Sequence, residues 1–440
     1  MHSTAVSAFR LASILLLLGT SLSAQIPNVR IATSKKGASL GPCEPTIAIN
    51  LKNTQNMAAG AILDRYYWSN DGGKSWNSDT LRSPHGVFGD PVIVSDYMGH
   101  FYYAHLSDPE NGGWSSARLL DRIVVQKSED GGQTYSDGAF VGLRHPKDQD
   151  KQWLAVAPKT NALYCAWTEF DLYNSFNDTD HSRILFAQSA DGAQTWSDPI
   201  QLNQFEGDCL DDDMTTEGAV PAAGPNGEIY VAWAWNQKIW FDRSTDGGKT
   251  WLDKDIVIAK QPGGWTFDIP GIQRCNGMPV LVCDLSDGPN RGTLYINWAD
   301  QRRGKDDTDI WLAKSVNGGK TWSKPLRINN DPKGKHQFLS WIAVDQSNGY
   351  LYVVFYDRRD YNDERTDVYL AVSRDGGKSF SNERISETPF DPSQSVFFGD
   401  YNHISAHNGS VRPIWTRLEK GILSVWTALY EEESNKQIPK

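Results

Sequence analysis

The sequence has little of what nucleic-acid-binding, membrane-spanning or zinc-binding proteins need. Its 440 residues contain 43 Lys and Arg against 54 Asp and Glu, and a formal charge of −11 argues against a basic surface for phosphates. Beyond residue 24, no apolar run is long enough to cross a bilayer as a helix. The five cysteines show no C-x-x-C spacing, and no G-x-S-x-G, Walker or H-E-x-x-H pattern occurs. The composition is instead that of a globular protein rich in Gly and Trp.

The first 24 residues have the pattern of a secretory signal peptide. Arg10 is the only charge before Arg30, Leu11–Leu18 is a short apolar run, and Ser21–Ala24 supplies small residues. We expect cleavage near Ala24 and a mature domain of residues 25–440 that is secreted, periplasmic or on the cell surface. A retained membrane anchor is the alternative.

One octapeptide recurs along the chain with the chemistry of a tight turn. An Asp or Asn accepts hydrogen bonds from nearby backbone, a Gly allows positive φ, and a closing aromatic can pin a hairpin. Six copies begin 55 to 71 residues apart, which predicts an array of equal structural units. The copies are Ser69–Trp76, Ser128–Tyr135, Ser189–Trp196, Ser244–Trp251, Ser315–Trp322 and Ser373–Phe380.

The segments between these octapeptides read as β-strands. Alternating apolar and polar residues are bounded by Gly, Asn and Pro, and no convincing amphipathic helix is present. Each unit holds four strand-like runs, and seven first-strand patterns occur, although the last unit lacks a fourth strand. We therefore predict an all-β protein with one β-propeller domain of seven four-stranded blades, six being the alternative. The N-terminal strand Val29–Ser34 should complete the last blade and close the ring.

The octapeptide consensus S-x-D-G-G-x-T-W resembles the Asp-box, or BNR repeat, of the sialidase superfamily. The resemblance implies a propeller that acts on glycans, with each box on the outer turn between the third and fourth strands. Sialidases also carry an R-I-P motif whose Arg binds the substrate carboxylate. The aligned residues here are Cys43-Glu44-Pro45-Thr46, with Cys43 at the Arg position. The resemblance therefore does not carry sialic-acid specificity to this chain.

The chemistry of a propeller is expected where its innermost strands begin, because these ends converge on the axis. A pocket of carboxylates there can divide acid and base roles in glycoside hydrolysis. The leading pair is Asp90 and Glu217, followed by Glu44 and Asp400, with Tyr401 a nucleophile if Glu217 takes its proton. Alternatively, these groups hydrogen-bond inter-blade backbone around a water-filled channel. Residues at the strand starts are Glu44, Asp90, Asp150, Lys151, Gln152, Glu217, Arg274, His336, Gln337, Asp400 and Tyr401.

Four residues are predicted to bind substrate. Arg274 and Arg358 suit an acidic sugar, since a guanidinium pairs bidentately with a carboxylate. Gln337 lies at a strand start, and Trp265, in the loop GGWTFDIPG, can stack on a sugar if it is exposed. Trp114, in the loop NGGWSS, is a second such ring.

A metal is not required by any of this chemistry, although one loop is rich in hard oxygen ligands. Gly207–Gly218 holds Asp208, Asp211, Asp212 and Asp213, which suit Ca²⁺, but the spacing is not that of a known calcium loop. A solvated acidic loop is the alternative.

The sequence as a whole predicts a monomeric, glycan-active protein that hydrolyses glycosidic bonds with paired carboxylates. Two other functions fit the same pattern. One is a non-catalytic propeller that binds carbohydrate or protein, because a fold does not fix a function. The other is a polysaccharide lyase with a Tyr or His base.

Overall fold

The computed structural model describes residues 25–36, 38 and 40–432, so the predicted signal peptide lies outside the described residues. The described chain is almost entirely β-structure: its strands form seven antiparallel sheets, and one 3₁₀ turn spans Gly113–Ser115. Within these residues, no helix is long and apolar enough to cross a membrane.

The sheets are the seven blades of a β-propeller, as predicted, and the six-blade alternative is wrong. Strand β1 is Asn28–Thr33. Blades 1 and 2 contain β2 to β9, which are Thr46–Ile49, Met57–Ala61, Arg65–Ser69, Asn77–Thr80, Val92–Ser95, Phe101–Leu106, Ile123–Ser128 and Ala139–Val141. Blades 3 and 4 contain β10 to β17, which are Asp148–Val156, Leu163–Phe170, Ser182–Ser189, Ile200–Gln201, Glu217–Ala223, Ile229–Trp235, Lys238–Ser244 and Ile256–Lys260. Blades 5 and 6 contain β18 to β25, which are Val280–Cys283, Leu294–Asp300, Asp309–Ser315, Leu326–Arg327, Gln337–Asp345, Tyr350–Asp357, Asp367–Ser373 and Ser381–Arg384. Blade 7 contains β26 to β29, which are His403–His407, Ser410–Glu419, Ile422–Ala428 and Tyr430–Glu431.

The ring is closed by strand β1, which confirms the predicted closure. β1 is the outermost strand of blade 7, in the order β26-β27-β28-β1, and it pairs antiparallel with β28. The register places Asn28 opposite Ala428 and Thr33 opposite Ser424. Because the first strand and the last blade share one sheet, hydrogen bonds join the two ends of the ring.

The octapeptides lie in the turns between the third and fourth strands of blades 1 to 6. In the copy Ser244–Trp251, the Asp246 carboxylate accepts hydrogen bonds from the Thr250 hydroxyl (2.7 Å) and the Thr250 backbone N–H (2.9 Å). The Ser244 hydroxyl donates to the same carboxylate at 2.7 Å. Each Asp-centred turn is therefore locked by its own side chains and does not face the axis.

The octapeptides also connect adjacent blades. At five junctions, a side chain of the preceding blade donates a hydrogen bond to the carbonyl of the first Gly of the octapeptide. The donor–acceptor pairs are Arg412–Gly72, Asn56–Gly131, Gln188–Gly247, Arg243–Gly318 and Lys314–Gly376. The closing aromatics reach across the same junctions: the ring centroid of Trp251 in blade 4 lies 5.0 Å from that of Phe186 in blade 3. The repeated motif thus holds neighbouring sheets together.

The core lies between the blades, and aromatic residues of the second strands fill much of it. Trp167, Trp233, Trp298 and Trp415 occupy the second strands of blades 3, 4, 5 and 7 and are fully buried. Large flat rings suit the space between two sheets that pack face to face.

The inner strands begin with an unusual backbone conformation. Glu44, Asp90 and Lys151 have φ values of 51°, 46° and 51°, in the left-handed region that non-glycine residues rarely adopt. In blade 3 the pairing register shifts between Asp150 and Trp153, which is a β-bulge. Such bulges redirect side chains at sheet ends and are frequent beside functional sites. Here the left-handed residues and the bulge of blade 3 bring charged side chains to the axis.

Candidate functional site

A cavity of about 550 Å³ opens where the inner strands of the first blades begin. Its polar lining comes from the inner-strand starts of blades 1, 2, 3 and 5 and from the loop after β11. The polar lining residues are Glu44, Asp90, Asp150, Lys151, Tyr173, Gln273 and Arg274. The structure thus places three of the predicted site residues, Glu44, Asp90 and Arg274, in one cavity.

Asp400 forms the ionic centre beneath this cavity. Its Oδ2 lies 2.7 Å from the Lys151 ammonium nitrogen, and its Oδ1 accepts a hydrogen bond from Arg274 Nε at 2.8 Å. A second guanidinium N–H of Arg274 donates to Oδ2. Burial would raise the pKa of Asp400, but the Arg274 and Lys151 cations outweigh it and hold that pKa well below its usual range. Asp400 is therefore a permanent anion that fixes two cations.

Asp211 fixes the other side of Arg274. Its Oδ2 accepts hydrogen bonds from Arg274 Nη1 at 2.8 Å and from the Tyr173 hydroxyl at 3.0 Å, while its Oδ1 accepts the Trp265 indole N–H at 3.0 Å. The Trp265 ring packs on Gly218, where an added Cβ would lie 2.6 Å from the ring. Asp211 is thus held by three donors from two loops, because Trp265 and Arg274 both lie between β17 and β18.

Trp265 therefore has a different position from the one predicted. It is 3% exposed, so its ring is not available for stacking on a sugar, and the expectation of an exposed platform is wrong. The loop GGWTFDIPG folds inward because the indole N–H reaches Asp211 and the ring fills the space above Gly218. The side chain positions Asp211.

The carboxyl groups near the cavity differ in proton affinity. Burial raises the pKa of Asp150 to about 7, opposed by the neighbouring Lys151 cation. Burial, with the charges of Asp90 and Asp400, raises the pKa of Glu44 well above its usual range. Protonated and ionised carboxyl groups therefore lie side by side near neutral pH.

Glu217 and Tyr401 do not form the predicted nucleophile–base pair. Glu217 is fully buried, and burial together with Asp211 raises its pKa well above the usual range, so its carboxyl group is held neutral beside Asp211. The Tyr401 hydroxyl instead donates to the Pro91 carbonyl at 3.4 Å, and its ring lies 5.2 Å from that of Trp153. Neither residue lines the cavity.

Arg358 and Gln337, two of the predicted substrate-binding residues, are held elsewhere. Arg358 is buried, donates to the Thr366 hydroxyl at 3.0 Å and to the Pro270 carbonyl at 2.7 Å, and does not line the cavity. Gln337 is buried within blade 6, where its amide donates to Asp357 at 3.2 Å. Both side chains hydrogen-bond to groups within the protein, and the structure does not bring either one to the site.

Aromatic rings line the outer part of the cavity. Trp114 is 73% exposed, and its ring centroid lies 6.0 Å from that of Tyr173 in a stacked arrangement. Phe88 meets Trp114 edge-on at 5.8 Å, and Phe397 lies under the Arg274 guanidinium at 5.5 Å. An ionic floor with an exposed indole at the rim suits a ligand that has both hydroxyl groups and apolar C–H faces.

Two residues of the site, Tyr173 and Asp211, were not predicted from the sequence to lie there. Tyr173 follows β11 in a loop without any motif, and Asp211 was considered only as a candidate Ca²⁺ ligand. Long-range contacts bring both to Arg274, and no local pattern encodes those contacts. Asp150 and Lys151 stood at a predicted strand start but received no role.

The acidic loop Gly207–Gly218 is occupied by contacts within the protein. Asp213 accepts the Thr266 backbone N–H at 3.1 Å, and Asp208 accepts the Thr215 hydroxyl at 2.7 Å. Among the described residues, no group of three or more His, Cys, Asp or Glu side chains has the arrangement of a metal site. The Ca²⁺ loop stays a prediction.

Comparisons with known proteins agree with this architecture. No family model matches the chain. A curated sialidase of Bacteroides fragilis is 28% identical over 167 residues, which are 33% of this chain and 29% of that protein. The chain therefore spans less than a third of the length of the curated sialidase it matches.

Two solved structures share the fold at low identity. A Dyadobacter fermentans protein of unknown function has a TM-score of 0.51 and 12% identity, covering 93% of this chain and 99% of its own. The NanB sialidase of Streptococcus pneumoniae has a TM-score of 0.50 and 11% identity, covering 85% and 83%. The chain is a sialidase-like β-propeller in its fold, as its octapeptides predicted.

Proposed function

We propose that this protein hydrolyses glycosidic bonds in the cavity at the start of the inner strands. One observation carries the proposal: two carboxyl groups, Asp90 and Asp150, face the same 550 Å³ cavity, and the exposed Trp114 stands at its rim. Paired carboxyl groups are the usual apparatus for cleaving a glycosidic bond.

The two carboxyl groups suit opposite roles. Asp150, with a pKa raised by burial to about 7, can keep a proton near neutral pH and deliver it to the leaving oxygen. Asp90 lines the same cavity and lies 3.4 Å from the Lys151 ammonium nitrogen, a position from which its carboxylate can attack or activate water. This assignment keeps Asp90 from the predicted pair and replaces Glu217, which is buried beneath the cavity.

Tyr173 also lines the cavity and donates to Asp211 at 3.0 Å. Burial and the charge of Asp211 raise the pKa of its phenol, so deprotonation is costly. Asp211 already accepts hydrogen bonds from Arg274 and Trp265, so both of its carboxylate oxygens have partners within the protein. We therefore assign Tyr173 to positioning Asp211 and the rim Trp114.

The test is hydrolysis of a broad panel of chromogenic glycosides and oligosaccharides by wild type, Asp90→Asn and Asp150→Asn. We expect each substitution to lower kcat at least a hundredfold, because it removes an acid or a base. The matched control is Asp253→Asn on the exposed surface after β16, which should leave kcat unchanged. Full activity in both site variants, with product formed, would refute the assigned roles.

A second function, binding of a glycan without turnover, is favoured by one observation. The Arg274 guanidinium and the Lys151 ammonium are both engaged by Asp400, so much of the charge at the site serves the structure. A glycan array that retains ligands, together with no product over the whole panel, would support this alternative and contradict hydrolysis.

A further inference from the structure

The balance of charge around the cavity bears on which sugars it can accept. Six carboxyl groups surround two cations at this end of the axis, and burial keeps a proton on Glu44, on Glu217 and on part of the Asp150 population near neutral pH. The carboxyl groups are Glu44, Asp90, Asp150, Asp211, Glu217 and Asp400, and the cations are Lys151 and Arg274. A site built to hold an anionic sugar would show the opposite excess.

Both cations are already neutralised within the protein. Arg274 donates through Nε and Nη2 to Asp400 and through Nη1 to Asp211. The Lys151 ammonium nitrogen lies 2.7 Å from Asp400 and 3.4 Å from Asp90, and the side chain is buried. An incoming carboxylate would have to compete with carboxylates whose geometry is already fixed.

Apart from Lys151 and Arg274, which these carboxylates hold, the charged groups that line the cavity are carboxyl groups. They are Glu44, Asp90 and Asp150, and the Asp400 backbone N–H donates to Glu44 Oε1 at 3.1 Å. A ligand carboxylate would meet like charge in a confined space, whereas ligand hydroxyls can donate to these oxygens. At the arginine position of the R-I-P motif, Cys43 is buried and adds no cation.

We propose that the cavity binds uncharged sugar residues and excludes those that carry a carboxylate, such as sialic acids and uronic acids. The hydroxyls of a neutral sugar donate to Asp90 and Asp150, and its C–H face lies on the Trp114 ring. This inference deepens the proposed function by naming a substrate class, and it depends on that function only for the location of the sugar.

Matched pairs of ligands that differ in charge test this inference. A glycan array first selects binders, and titration calorimetry then compares galactan with galacturonan fragments of equal length, and lactose with sialyllactose. We expect the neutral member of each pair to bind at least about tenfold more tightly, which corresponds to about 1.4 kcal/mol. An array that retains mainly acidic glycans, or tighter binding of the acidic members, would overturn the inference.

The variant Asp90→Asn tests whether the negative charge of the cavity causes the preference for neutral sugars. It removes one carboxylate from the cavity and leaves Lys151 with one partner fewer, so the preference for the neutral member should shrink. A preference unchanged in a variant that melts like the wild type would contradict the electrostatic explanation. Asp253→Asn removes an exposed carboxylate elsewhere and is the control for net charge.

Measuring binding and hydrolysis separately distinguishes a failure of this inference from a failure of the proposed function. Neutral sugars that bind without being cleaved would contradict hydrolysis and support the exclusion of sugars that carry a carboxylate. Cleavage of sialosides or uronides in preference to neutral glycosides would support hydrolysis and overturn the inferred exclusion of sugars that carry a carboxylate.

Discussion

Lys151 and Asp400 form a buried ion pair across the propeller axis, with the ammonium nitrogen 2.7 Å from Oδ2. Lys151 belongs to the β-bulge of blade 3, and Asp400 precedes the first strand of blade 7. Arg274 approaches the same carboxylate from the segment before blade 5. One carboxylate therefore connects three separate parts of the ring at the floor of the candidate site.

Asp400→Asn should be strongly destabilising. It leaves the buried Lys151 and the partly exposed Arg274 without their shared counter-ion, and removing one partner of a buried ion pair costs about 3–5 kcal/mol. The matched control is Asp64→Asn: Asp64 and Arg65 form an ion pair at 3.7 Å whose side chains are 42% and 54% exposed. That change should cost less than about 1 kcal/mol. Urea unfolding measures both, and equal losses would argue against a central structural role for Asp400.

Trp114→Ala should weaken substrate binding without lowering stability. The ring is 73% exposed at the rim, so few core contacts are lost, but its stacking face for a sugar disappears. We expect KM for the best oligosaccharide to rise about tenfold, which corresponds to about 1.4 kcal/mol. Phe176→Ala is the control, because this ring is 87% exposed and does not line the cavity. Equal changes in KM for the two variants would count against a sugar contact at Trp114.

Asp246→Ala should lower the melting temperature and leave kcat unchanged. The carboxylate accepts hydrogen bonds from Ser244, Lys249 and Thr250 in a turn at the outer side of blade 4. The natural control is Asp246→Asn, because the equivalent Asn317 of blade 5 accepts the Thr321 N–H at 3.0 Å and donates to its hydroxyl at 2.8 Å. The Asn variant should retain most of the stability. Activity lost at an unchanged melting temperature would contradict a purely structural octapeptide.

Stability should fall as the pH rises from about 6.5 to about 8. Below that range His105, His336 and His403, whose pKa burial lowers to about 4, about 4 and about 3, act in the opposite direction, because a rising pH removes protons that only the unfolded chain holds. Burial raises the pKa of Asp150 and of Asp242 to about 7 and that of Asp255 to about 6, above the value of about 3.9 in an unfolded chain. For a carboxyl group with a raised pKa, the folded state is favoured by the proton. That contribution is complete below the unfolded pKa and is lost as the pH passes the folded pKa.

The measurement is the free energy of unfolding in urea across that pH range. Asp242→Asn should flatten the profile, because the amide oxygen can still accept the Leu252 backbone N–H, which lies at 2.9 Å in the wild type. Asp253→Asn, on the exposed surface, should leave the slope unchanged. A free energy of unfolding that increases from pH about 6.5 to about 8 would show that other groups dominate.

The repeat made the fold predictable from sequence, because each octapeptide marks one hairpin and the seven first-strand patterns count the blades. Closure by β1 followed from the missing fourth strand in the last unit. The strand starts located Glu44, Asp90 and Arg274 at the cavity, since inner strands of a propeller must converge.

The remaining site residues depend on features without a local pattern. A left-handed residue at Lys151 turns that side chain to the axis, and nothing in the sequence near it requires this conformation. Tyr173 and Asp211 reach Arg274 from loops whose path is set by packing. Trp265, Arg358 and Gln337 are of residue types that often bind ligands, but here each hydrogen-bonds to a group within the protein.

The closure of the ring has a consequence for synthesis. Strand β1 pairs with β28, so it has no partner until the ribosome has made almost all of the described chain. The six preceding blades can each form from contiguous sequence as they emerge, whereas the seventh waits for the final strands. Completion of the ring, and with it the pairing of Asp400 with Lys151 at the axis, therefore waits until the strands of the seventh blade have been made.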